Sequence, residues 1–134
     1  MKYLLDTHIL FWSMNDEEKL PEDVLALIND QRNEVYFSSA SVWEIVIKHR
    51  KNPQIMPVSG RDFLNTCLES GFTPLPIDNS HVLAVETLHR KAGEPPHNDP
   101  FDRLLIAQAK TEAMKLITHD SLLTGYAEKC VMKI

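Results

Sequence analysis

Short apolar runs separated by helical patterns constrain this chain more than any other feature. Tyr3-Leu4-Leu5, Val35-Tyr36-Phe37 and Lys115-Leu116-Ile117-Thr118 each have the length of a short buried strand. Between them, apolar residues recur at helical spacing: Val24, Leu25, Leu27 and Ile28 follow Pro21, and Val42, Trp43, Ile45, Val46 and Ile47 follow a run of serines. Strand then helix then strand is the pattern of crossover connections. It predicts a three-layer α/β fold, with a mostly parallel central sheet of about five strands and helices on both faces.

The remaining segments fit that frame. Pro21 suits a first helical turn, and Ser38 to Ser41 offer caps for the next helix. Asn52 to Gly60 reads as a loop, Arg61 to Ser70 as a helix closed by Gly71, and Phe72 to Ile77 as an extended sheet edge because of Pro74 and Pro76. Asp78 or Asn79 can cap a helix running to about Arg90, and Pro100 to about Ala113 forms another. Cys130 to Ile134 reads as a last edge strand. At 134 residues, 43% apolar and 25% charged, the chain is expected to be one soluble domain spanning residues 1–134. No apolar stretch approaches the roughly 18 residues of a membrane span. The opening residues lack the apolar core of a secretory signal, and Cys67 and Cys130 stand apart, so the expected location is cytoplasmic.

Carboxylates mark the ends of these elements. Asp6 and Asp120 follow apolar strands, at the sheet edge where ligands of such folds sit. Glu44 closes a Ser41-x-x-Glu44 pattern, which is either a capping box or, with an earlier cap, an acid free to face that edge. Asp99-Pro100 reads as a cap followed by Pro at the first helical position, which puts Asp102 one turn on. Each acid has a helix-capping explanation, yet together Asp6, Glu44, Asp99, Asp102 and Asp120 suggest an oxygen-rich pocket for Mg²⁺ or Mn²⁺. Thr7, Thr118 and Ser121 can orient carboxylates or water. His8, His97 and His119 lie near the acids without metal-ligand spacing, and His97 is the one most open to a direct role. Trp12 and Trp43 have apolar neighbours and are expected in the core.

The net charge of −5 argues against a broad nucleic-acid binder, although a carboxylate site contributes to it. Lys48-His49-Arg50-Lys51 is the one dense basic run, either a solvated helix end or a phosphate contact. A phosphatase beginning with a strand-end Asp would want a second Asp at position eight, where His8 stands. A receiver-like binding module would want a lysine after its last strand, and His119-Asp120 offers none.

Taken together, Leu5-Asp6-Thr7, Ser41-x-x-Glu44, His97-x-Asp99-Pro100-x-Asp102-Arg103 with Leu105-Ile106-Ala107, and Thr118-x-Asp120 resemble the PIN-domain ribonucleases, in particular the VapC-like toxins of toxin–antitoxin pairs. The resemblance runs essentially the whole length. It implies an acidic cluster of Asp6, Glu44, Asp102 and Asp120, with Asp99 as an additional acid, binding Mg²⁺ or Mn²⁺ to hydrolyse RNA. It also implies a sheet mixed only at its margins, a homodimer and an antitoxin partner. A degenerate, non-catalytic PIN-like scaffold would have lost acids, and none is missing here.

Overall fold

Adjacent leucines of the first strand enter two different hydrophobic cores, and the layered architecture follows from that alternation. The computed structural model describes residues 1–134. In it β1 (Lys2–Leu5) sends Tyr3 and Leu5 to one core and Leu4 to the other. β2 (Glu34–Ser38) divides Val35 and Phe37 from Tyr36, and β4 (Lys115–Thr118) divides Ile117 from Leu116. Side chains alternate across a strand, so strands apolar on both faces must be covered on both.

The sheet has the order β3-β2-β1-β4-β5, with β3 (Thr73–Leu75) and β5 (Val131–Lys133) at its edges. All four pairings are parallel, so the margins expected to be mixed are not. Every connection crosses over rather than turning back, because each places helical residues between successive strands. One core takes Ile9 and Leu10 from α1 (Thr7–Asn15), Val24 from α2 (Glu22–Asn29), Ile45 from α3 (Ser39–Lys51), and Phe63 and Cys67 from α4 (Gly60–Glu69). The other is dominated by Leu105, Ile106 and Ala109 of α6 (Pro100–Thr111). Gly71 closes α4 with a positive φ of 83°, as a residue after a helix C-terminus should.

Two further expectations need correction. The helix expected from residue 78 to about Arg90 is short: α5 (Asn79–Ala84) gives way to a 3-10 turn at Val85–Thr87. Leu88 then enters the second core, and Arg90 bridges antiparallel to Tyr126. Trp43 is 55% exposed, against Phe101 at 5.0 Å, rather than in the core. The helix phase explains this, since α3 buries Ala40, Ser41 and Ile45, and residue 43 lies about 200° around the axis from both 41 and 45. Trp12 is half-buried at the margin of the first core, edge-on to His119.

Leu4→Ala and Leu5→Ala, both at fully buried positions, are expected each to lower the unfolding free energy by about 2–5 kcal/mol. Urea denaturation of the two variants checks this, and a cost under about 1 kcal/mol for either would contradict two separate cores.

Candidate metal centre

The strand order places a natural crevice beside β1. The chain runs outward from β1 to β2 and β3, then returns to lay β4 on the other side of β1. The connections leaving β1 and β4 therefore diverge, and ligands of parallel sheets sit in that gap. Asp6 follows β1 and Asp120 lies just beyond β4, so the topology brings these two acids together.

Asp6 is only 7% exposed. Its Oδ1 accepts from the Thr7 backbone N–H at 2.7 Å, and its Oδ2 accepts from the Thr118 hydroxyl at 2.6 Å. Thr118, fully buried at the end of β4, also accepts from the Asp120 N–H at 3.1 Å. One threonine thus fixes the spacing of both strand-end acids. Burial raises the Asp6 carboxyl above its usual value; the Thr118 and Thr7 hydrogen bonds oppose this, and Glu44 adds repulsion.

The structure resolves the two readings of Glu44. Ser38 is the cap of α3, accepting from the Ala40 N–H at 2.9 Å, so no capping box forms at Ser41. Glu44 is left to face the crevice. Its Oε1 accepts from the Thr7 hydroxyl at 2.7 Å, and its Oε2 lies 3.0 Å from Lys48 Nζ. Thr7 has a single hydroxyl proton, given to Glu44, so the buried Ser41 hydroxyl 2.9 Å away donates in turn to Thr7. That role for Ser41 was masked in the sequence by its value as a cap.

The α6 terminus supplies the opposite wall. Asp99 is exposed and caps the helix, accepting from the Phe101 and Asp102 N–H groups at 2.9 and 3.1 Å. Asp102, one turn inside, is 18% exposed with Oδ2 3.1 Å from His97 Nε2. Its carboxyl is pushed up to about 8, first by desolvation and then by repulsion from Asp6, Asp99, Asp120 and Glu44. The other four acids expected at the site are therefore all near enough to act on Asp102 electrostatically. His97, Asp102 and Asp120 come closest, each with a ligand atom within 4.8 Å of the others. Ser121 makes no hydrogen bond to the acids; its carbonyl accepts from the Thr124 hydroxyl. Tyr126, which sequence reasoning missed, anchors His97, with its hydroxyl 2.7 Å from Nδ1. Nothing local announces it, since the two residues are 29 apart in the chain.

Crowded, partly desolvated oxygen donors of this kind fit a divalent cation, which would relieve the repulsion that raises Asp102. The model of the PIN domain family matches residues 3–129. This chain belongs to the PIN-domain family. The PIN domain is 32% identical over 72 residues to ribonuclease VapC16 of Mycobacterium tuberculosis, a match covering 53% of this chain and 48% of that protein. The chain spans about half the length of the relative it matches. Its fold is also that of a chain in the crystal structure of VapBC2 from Rickettsia felis bound to a DNA fragment from their promoter. There the TM-score is 0.67 at 15% identity, over 100% of this chain and 98% of that one.

The raised Asp102 carboxyl has a definite sign. A folded pKa near 8 against 3.8 unfolded means its contribution to stability is complete below about pH 4. That contribution is lost as pH rises through about 8. In metal-free buffer Asp102→Asn is therefore expected to gain on wild type as pH rises from 5 to 9, by about 3–5 °C in Tm for each kcal/mol. Melting curves across that range check it, and a difference that does not grow with pH would contradict it. Thr118→Val, which removes the donor to Asp6, should cost about 1–3 kcal/mol, whereas Thr118→Ser should cost far less.

Proposed function

We propose that this PIN domain is a Mg²⁺- or Mn²⁺-dependent endoribonuclease, acting in the cytoplasm as the toxin of a toxin–antitoxin pair. The observation that carries this reading is the gathering of Asp6, Glu44, Asp99 and Asp120 around Asp102, whose carboxyl is pushed up to about 8 by burial and then by their repulsion. When bound, a divalent ion supplies a water nucleophile at neutral pH and neutralises charge on the scissile phosphate.

The chain's own residues do the rest. Thr118 and the Thr7 N–H hold Asp6 in one orientation, and Thr7 with Lys48 holds Glu44, so these carboxylates are ordered before any ion or substrate arrives. Asp102 and Asp120 face them across the crevice, and Asp99 adds negative charge while capping the helix. Beside Glu44 a cleft of about 490 Å³ is lined by His8, Lys48, Lys51, Asn52, Ile55 and Met56. Its cations suit the phosphates flanking a bound RNA segment. The basic run of α3 thus divides its work between stabilising Glu44 and meeting substrate.

The toxin role rests on the likeness to VapC16 and to the VapBC2 chain, together with the motif resemblance. An antitoxin partner and a homodimer are part of the same proposal, as is the reading of residues 1–134 as a single PIN-like domain.

RNA cleavage by wild type and variants tests the proposal. With a pool of single-stranded and looped RNAs in Mg²⁺ or Mn²⁺, Asp6→Asn, Glu44→Gln and Asp102→Asn are expected each to lower the rate at least about 100-fold, and chelation to abolish it. Asp99→Asn should lose less than about tenfold, because asparagine caps a helix as well as aspartate does. Cutting that survives Asp6→Asn and Asp102→Asn would reject the site.

A further inference from the structure

His97 is the imidazole grouped with Asp102 and Asp120 in the acidic pocket, and both of its ring nitrogens are engaged. The Tyr126 hydroxyl has a single proton and donates it to the His97 carbonyl at 3.0 Å. The tyrosine oxygen can then only accept from the ring, so the proton of His97 Nδ1 occupies the 2.7 Å contact. That leaves Nε2 facing Asp102 Oδ2 at 3.1 Å. A proton shared between them fills that contact in the metal-free protein, and a bound cation can take its place.

We infer that His97 Nε2 is a ligand of the bound ion, together with Asp102 and Asp120, and that it makes this centre select Mn²⁺ over Mg²⁺. The inference rests on the metal reading of the acidic pocket. The ligand atoms of His97, Asp102 and Asp120 all lie within 4.8 Å of one another, so these three residues could hold one ion together. Imidazole nitrogen suits transition ions, whereas Mg²⁺ prefers oxygen alone.

The surroundings hold His97 in this pose. Its side chain is only 6% exposed. Tyr126 is itself overlaid by the Arg90 guanidinium, 4.7 Å from the ring centre. Arg90 in turn donates to the Pro95 carbonyl at 2.9 Å and the Leu122 carbonyl at 2.7 Å, tying the loop before His97 to the turn after β4. The approach needs Gly125, where a Cβ would collide with the guanidinium. Ordered support of this kind behind a histidine fixes its tautomer and ring orientation, as it does behind metal-binding histidines.

Pulsed electron paramagnetic resonance on the Mn²⁺-loaded protein tests the inference directly. Wild type should show a nitrogen coupling to Mn²⁺ that changes isotope when the histidines are labelled with ¹⁵N. His97→Asn should abolish it, and Tyr126→Phe should weaken Mn²⁺ binding about 10–100-fold with less effect on Mg²⁺. Bound Mn²⁺ without nitrogen coupling in wild type would overturn the inference and leave the carboxylate site standing, and so would a coupling that survives His97→Asn. Failure of wild type to bind Mn²⁺ at all would remove the metal reading together with it.

Discussion

Everything at the candidate centre depends on keeping the Asp6 carboxylate buried at the end of the central strand. An ionised carboxylate taken out of water costs several kcal/mol unless its oxygens are satisfied. Here the Thr118 hydroxyl and the Thr7 N–H each satisfy one oxygen. The parallel register of β1 with β4, pairing Leu5 with Ile117, places Thr118 beside Asp6. The sheet thus contributes the decisive hydrogen bond, and burial still raises the Asp6 carboxyl because two donors replace water incompletely. A cation is the natural third partner.

The two cores make this arrangement affordable. Leu4, Leu5, Leu116 and Ile117 are fully buried on the two faces of the middle strands, and their burial offsets electrostatic strain at the carboxyl ends. The same strands that stabilise the domain therefore aim Asp6, Thr118 and Asp120 into the crevice. Asp102 comes from a different source, the first turn of α6, whose cap Asp99 fixes the approach of the helix. Under the proposed function, activity and stability are opposed at Asp102, whose protonation removes a buried, repelled charge in the absence of metal and whose ionisation a metal-binding role would require.

Much of this was legible in the sequence because short-period patterns carry it. The strands at Lys2–Leu5, Glu34–Ser38 and Lys115–Thr118 follow from apolar runs too short for helices, and Asp6 and Asp120 follow from their position just beyond two of them. Glu44 was ambiguous because Ser41-x-x-Glu44 satisfies a capping box, and only the cap at Ser38 frees it. Trp43 was misplaced for a related reason, since which face of α3 is inward depends on where the helix begins. The helix expected to reach Arg90 stops early because Leu88 and Arg90 serve long-range contacts that no local propensity encodes. The Tyr126–His97 link is likewise a contact between distant residues, invisible to spacing.

The most direct measurement is calorimetric titration of the metal-free protein with Mn²⁺ near pH 7, repeated in buffers of different ionisation enthalpy. An acid held at about 8 in the metal-free state must give up its proton to bind a cation. The expected result is saturable binding with release of about one proton per protein, lost in Asp102→Asn. Binding with no proton release, or heats that never saturate at millimolar Mn²⁺, would contradict a carboxylate centre built around Asp6 and Asp102.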